Sequence, residues 1–228
     1  DAGTTTQLMW GARSDVGCVR PHNEDSYLVQ SPLFCVCDGM GGHAAGEVAS
    51  SIAVETIAKT APQSADAARL AAAVEAANAA VIEAALNGLG KPGMGCTATC
   101  AYIENDTLAI AHAGDSRAYL LHEGTLIRVT RDHSYVEELV DAGEITADEA
   151  RVHPNRSVIT RALGSDPAMY ADHFTLHIEE GDRLILCSDG LSSMIPDSDI
   201  ENIATQSSTA QICVDNLVDA ALAAGGHD

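Results

Sequence analysis

The sequence predicts an α+β protein, a four-layer αββα sandwich in which two antiparallel sheets are flanked by helix pairs. Three observations carry this expectation. Consecutive strand-like runs are joined by hairpin-type turns, which argues for antiparallel pairing. Amphipathic helical segments arrive in two separate batches, which places helices outside the sheets. Gly and Pro are scattered as punctuation, without repeats, low-complexity tracts or a long linker, so residues 1–228 are expected to form a single domain.

Strand-like runs come first, in parts of Leu8 to Val16, then Ser26 to Gln30 and Leu33 to Cys37, with Ser31 and Pro32 as a turn. A helical pair follows. Val48, Ile52 and Thr56 repeat at helical spacing from Glu47 to about Thr60; Leu70, Val74, Ala77 and Val81 do so from about Asp66 to Leu86, closing at Asn87 and Gly88. Next comes a meander: CTATCAYI, a turn at Glu104 to Asp106, TLAIAHAG, SRAYLLH, a turn at Glu123 and Gly124, and TLIRVT. A mixed, partly helical stretch from Asp132 to Gly164 leads to two more strands, HFTLHI and RLILC, hinged at EEGD. Helices are expected near Asp197 to Ala204 and Thr209 to Ala224.

Composition excludes some partners. Lys and Arg number 12 against 33 Asp and Glu, a formal charge of -21, which disfavours sequence-blind binding to nucleic acid or an anionic membrane. No apolar run approaches the roughly 20 residues of a membrane span, and the first residues lack a basic region followed by an apolar stretch, so a soluble cytoplasmic protein is expected, and it is taken to be a monomer. The seven cysteines form no CxxC pair, which speaks against structural zinc; Cys35, Cys37, Cys96, Cys100 and Cys187 lie in apolar runs and read as buried free thiols.

Five acids sit at or near the ends of apolar runs, most with a glycine alongside: Asp25, Asp38, Asp115, Asp189 and Asp228. A carboxylate where a buried strand emerges is costly to desolvate unless a cation compensates it, and glycine lets a neighbouring backbone carbonyl approach as a further ligand. Oxygen donors of this kind suit hard ions such as Mg²⁺ or Mn²⁺. Gly39 to Ala44 also matches the G-x-G-x-x-A fingerprint of dinucleotide binding. Asp38 would set a negative charge beside the pyrophosphate, however, and the meander contradicts a βαβ unit.

In chain order, RPHNEDS, CDGMGGHAAGE, GCTAT, AHAGDSRAYL, TRDHS, ITRALG, LCSDGL and GGHD together resemble the metal-dependent Ser/Thr protein phosphatases of the PPM type, also called PP2C, in their compact bacterial form. The resemblance covers essentially the whole chain. It implies the same αββα sandwich, with a two-metal or three-metal Mn²⁺ or Mg²⁺ site between the sheets. By position, Asp38 resembles the carboxylate bridging two metals, Gly39 the donor of a backbone carbonyl, and Asp189 and Asp228 ligands of the first metal. Glu24 and Asp25 resemble the pair holding the second metal through water and in its outer shell, and Asp115 the ligand of a third. Arg20 resembles the residue that grips the substrate phosphate.

The implied chemistry is hydrolysis of phosphoserine and phosphothreonine by metal-activated water without a phosphoenzyme. The implied partners are phosphorylated proteins, namely a bacterial Ser/Thr kinase and its substrates. The alternative is a phosphatase-like binding or sensing module with weak catalysis. Two departures stand out. The His proposed as general acid in many eukaryotic members is here Met40, with the nearby imidazole of His43 as the catalytic candidate and a structural role for it, with a metal-bound water as the acid, as the alternative. The family's usual Asn and final strand do not follow Asp228. His112, His133, His153 and His227 read as structural residues. Arg13 and Arg161 read as surface or ion-pair residues.

Overall fold

The computed structural model describes residues 8–42 and 45–228. Two antiparallel sheets form its centre. The larger contains β1 (Asp25–Gln30), β2 (Leu33–Met40), β4 (Ala98–Glu104), β5 (Thr107–Ala113) and β8 (Asp172–His177) in the order β1-β2-β4-β5-β8, with the short β3 (Gly95–Cys96) paired to the end of β2. The smaller is β7-β6-β9, from β7 (Thr125–Arg128), β6 (Arg117–His122) and β9 (Arg183–Cys187).

Helices α1 (Ala45–Thr60) and α2 (Ala67–Leu86) cover the larger sheet, while α6 (Asp197–Gln206) and α7 (Ala210–Ala223) cover the smaller. Short helices α3 (Tyr135–Asp141), α4 (Ala147–Val152) and α5 (Asp189–Ser192) fill the connections. The layers are αββα, as expected from sequence.

Side-chain alternation explains the layering. Along β2, Leu33, Cys35 and Cys37 are buried against α1 and α2, which leaves Phe34, Val36 and Asp38 on the opposite face, towards the second sheet. Along β9, Ile185 and Cys187 pack towards α6 and α7, while Leu184 and Leu186 join the apolar layer between the sheets with Ala101, Leu108 and Ile110. Each helix pair therefore has its own core, and a third lies between the sheets. The five cysteines read as buried thiols are buried and free.

Local chemistry sets the boundaries. Asp66 caps α2 by accepting from the N–H of Arg69 (3.1 Å), and Thr146 and Glu149 form a reciprocal capping box on α4. The β6–β7 hairpin turns on Glu123 and Gly124, both at positive φ, as a tight two-residue hairpin requires.

Three expectations need correction. Residues 8–16 are not a strand; they lie along α7, where the N–H of Ala12 donates to Gln211 Oε1 and Arg13 pairs with Asp219 at 2.8 Å. The β5–β6 connection is not a hairpin. β5 pairs with β4 and β8, β6 with β7 and β9, so residues 114–116 carry the chain from one sheet to the other. The EEGD hinge does the same between β8 and β9. Asp115 and Asp182 sit on these two crossings.

Candidate metal centre

The acids meet at one end of the sandwich. Asp38 lies near the end of β2 on its inter-sheet face, and Asp25, the first residue of β1, is its direct cross-strand partner. Asp115 occupies the β5–β6 crossing, and Asp189 opens α5 immediately after β9. Oxygens of Asp38, Asp189 and Asp228 lie within 4.8 Å of one another, a set able to hold a metal ion. Arg20 closes the rim, with its Nε 2.9 Å from Asp228 Oδ1 and a terminal nitrogen 3.6 Å from Glu24 Oε2.

The backbone around Asp38 is fixed from both sides. Its N–H donates to Thr97 Oγ1 (3.0 Å), and its carbonyl accepts from the N–H of Thr97 (2.9 Å). The N–H of Gly39 donates to the carbonyl of Glu24 (3.1 Å), which also accepts from the Ser50 hydroxyl (2.7 Å). A Cβ on Gly39 would fall 2.0 Å from the Gly46 carbonyl oxygen, so only glycine lets β2 and α1 approach this closely. The Asp228 segment is held by Gly226, whose carbonyl accepts from the N–H of Cys18 (2.7 Å).

Electrostatics make the cluster incomplete without a cation. Burial first, then the neighbouring Asp189, pushes Asp38 well above the usual carboxylate range. The same causes push Asp115 up to about 8 and Asp228 up to about 7, and burial raises Asp25. Asp115 Oδ1 and Asp189 Oδ1 are buried and accept no hydrogen bond. Buried carboxylate oxygens without partners are expensive, and an oxygen-rich donor set lacking cysteine or histidine suits a hard divalent ion. The residues present fit the metal expected from sequence.

Asp25, Asp38, Asp189 and Asp228 converge, Glu24, Gly39 and Arg20 border them, and Asp115 stands on the adjoining crossing. His43 lies outside the described residues. Sequence reasoning gave no role to Thr97 or Ser188. Thr97 also hydrogen-bonds the Ser116 hydroxyl, tying Asp38 to the Asp115 crossing, and Ser188 donates towards Asp25 Oδ2 (3.4 Å) while capping α5. The available signal was a hydroxyl in an otherwise apolar run.

Residues 11–228 match the family model of protein phosphatase 2C, and the chain belongs to this family. It is 41% identical over 233 residues to the serine/threonine protein phosphatase PstP of Mycobacterium tuberculosis; the match covers all of this chain and 44% of PstP, so the chain spans less than half of that relative's length. It is 36% identical over 228 residues to the serine/threonine phosphatase stp of Listeria welshimeri, covering 95% of this chain and 90% of that one. Among solved structures, the M. tuberculosis phosphatase PstP/Ppp superposes with a TM-score of 0.89 at 40% identity, covering 95% of this chain and 92% of that one. The PstP catalytic domain in complex with two manganese ions superposes with a TM-score of 0.86 at 39% identity and the same coverages.

Proposed function

We propose that the chain is a single catalytic domain that hydrolyses phosphoserine and phosphothreonine in proteins, with Mn²⁺ or Mg²⁺ as cofactor and no phosphoenzyme. The observation that carries this reading is the convergence of Asp38, Asp189 and Asp228, with one buried oxygen of Asp189 and one of the neighbouring Asp115 left without partners. The two manganese ions in the related PstP domain support it.

Asp38, with Asp189 and Asp228, would hold the first ion; Asp38, Glu24 and Asp25 the second; Asp115 and Asp189 a third, with the Gly39 carbonyl as a further donor beside Asp38. When bound, the ions supply an activated water nucleophile and positive charge for the phosphoryl oxygens. The protein contributes rigid placement of the donors and one phosphate clamp. Arg20 now rests on Asp228 and Glu24, at the mouth of the cleft, and its planar guanidinium matches a phosphate dianion as well as a carboxylate. No thiol offers a covalent route, because no cysteine is followed six positions later by arginine. His43 is our candidate for protonating the leaving alkoxide.

The substrates we infer are phosphoproteins made by a bacterial Ser/Thr kinase, met by this domain as a cytoplasmic monomer. Among the described residues no helix is long and apolar enough to cross a membrane. The test compares phosphate release from phosphothreonine and phosphotyrosine peptides, with Mn²⁺, for wild type, Arg20→Ala and His43→Ala. Preference for phosphothreonine, a raised KM in Arg20→Ala and a changed acidic limb of the pH profile in His43→Ala are expected. Binding of phosphothreonine peptide without turnover would favour the sensing module instead.

A further inference from the structure

Asp115 Oδ1 is buried and accepts no hydrogen bond, so the position of this oxygen depends on how the backbone of the crossing is held. That backbone is gripped through the preceding residue. The N–H of Gly114 donates to His133 Nδ1 (3.0 Å), and the Gly114 carbonyl accepts from the N–H of His133 (2.8 Å). Gly114 has φ +111, and a Cβ there would lie 2.6 Å from Thr97 Cγ2, so the peptide is packed against Thr97 as well. His133 is buried, and its ring stacks on that of His112 with centroids 5.0 Å apart.

Accepting at Nδ1 puts the ring proton on Nε2, which donates to Asp172 Oδ2 (2.7 Å). The other oxygen of Asp172 takes Arg161 Nη1 (2.8 Å), and that guanidinium lies 4.2 Å over the Tyr170 ring. A continuous chain of contacts therefore runs from Tyr170 and Arg161 through Asp172 and His133 to the peptide that precedes Asp115. An imidazole whose two nitrogens are both committed has one orientation, and a ligand gains affinity when its support cannot move.

We propose that His133 is a positioning residue for the metal ligand Asp115, acting through Gly114, with Asp172 holding its ring in place. This rests on the reading of Asp115 as a ligand. The side chain of His133 reaches neither substrate nor metal; its effect is on the ion that Asp115 holds, leaving those of Asp38 in place.

The test titrates metal-stripped protein with Mn²⁺, following free ion by its electron paramagnetic resonance signal alongside p-nitrophenyl phosphate turnover. Asp115→Asn identifies the ion that depends on Asp115. His133→Leu is expected to weaken that ion about 10-fold, with the tighter ions and KM unchanged. In His133→Asn, Oδ1 can take the Gly114 N–H, so most of the affinity returns. Asp172→Asn keeps every heavy-atom position and weakens the ion about 3-fold.

If Asp115→Asn alters no bound ion, the ligand reading fails, and this proposal with it. If Asp115→Asn removes the ion while folded His133→Leu binds it like wild type, the positioning role alone is overturned. Equal weakening in His133→Leu and His133→Asn overturns the route through Gly114. Should circular dichroism show that His133→Leu does not fold, Asp172→Asn decides, and an unchanged isotherm overturns the proposal.

Discussion

Without a cation, Asp38 is a burden on the fold, because its carboxylate has lost water and faces Asp189 and Asp25. Asp38→Asn is therefore expected to raise the melting temperature of the chelator-treated protein while abolishing Mn²⁺-dependent turnover; a lowered melting temperature would contradict this. His112 makes the opposite kind of residue. It is fully buried between Thr99 Oγ1 (2.9 Å) and the Arg131 carbonyl (2.8 Å), and burial, followed by His133, depresses its pKa to about 4. Its folded pKa lies below its unfolded value of about 6.5, so its contribution is complete above that pH and is lost as pH falls towards 4. The stability advantage of wild type over His112→Gln, measured by denaturant titration with metal present, should shrink by about 1–3 kcal/mol between pH 7.5 and 4.5. A constant difference would show that His112 does not titrate with unfolding. Asp38, Asp115, Asp189 and Asp228 stood out in the sequence because an acid near a glycine at the end of an apolar run is a local pattern; Asp25 has no glycine beside it. His133, Thr97 and Ser188 did not stand out, since each acts on a residue from another segment of the chain.

Elements bring the acids together only because β2 and α1 approach closely and the crossing after β5 is anchored. Gly39→Ala would drive a Cβ into the carbonyls of Gly46 and Glu24, at 2.0 and 2.5 Å, so a loss of about 3 kcal/mol in urea unfolding is expected. A loss below about 1 kcal/mol would mean that the joint is loose. Beyond Asp115, Arg117 grips Asp132 with two nitrogens, at 2.9 and 2.7 Å, and also donates to the Tyr119 hydroxyl (2.8 Å). Asp132→Ala leaves a largely buried guanidinium with only Asp197, 3.7 Å away, as a carboxylate partner and should cost about 3 kcal/mol; an unchanged unfolding midpoint would remove the anchoring role. Period-2 and period-3.6 patterns located most strands and helices within a few residues. They could not separate a hairpin from a crossing at residues 114–116, where the turn residues are the same and only the pairing of distant strands decides. Residues 8–16 alternate like a strand, yet α7 side chains take their polar groups in place of a ladder.

For the whole molecule, a formal charge of -21 and a cleft of converging carboxylates favour cations, and under the proposed function a phosphoprotein is repelled until those cations are bound. Metal occupancy and substrate binding are thus expected to be coupled through the same charges. The two sheets supply the frame: the larger contributes Asp25 and Asp38, the smaller leads to Asp189, and the crossing between them carries Asp115. The most direct measurement strips the protein with chelator and then follows phosphate release from a phosphothreonine peptide as Mn²⁺ is returned. No turnover in the stripped protein, saturable recovery with Mn²⁺, and no recovery in Asp38→Asn are the predicted results. Turnover that persists without metal, or that Asp38→Asn retains in full, would contradict the account.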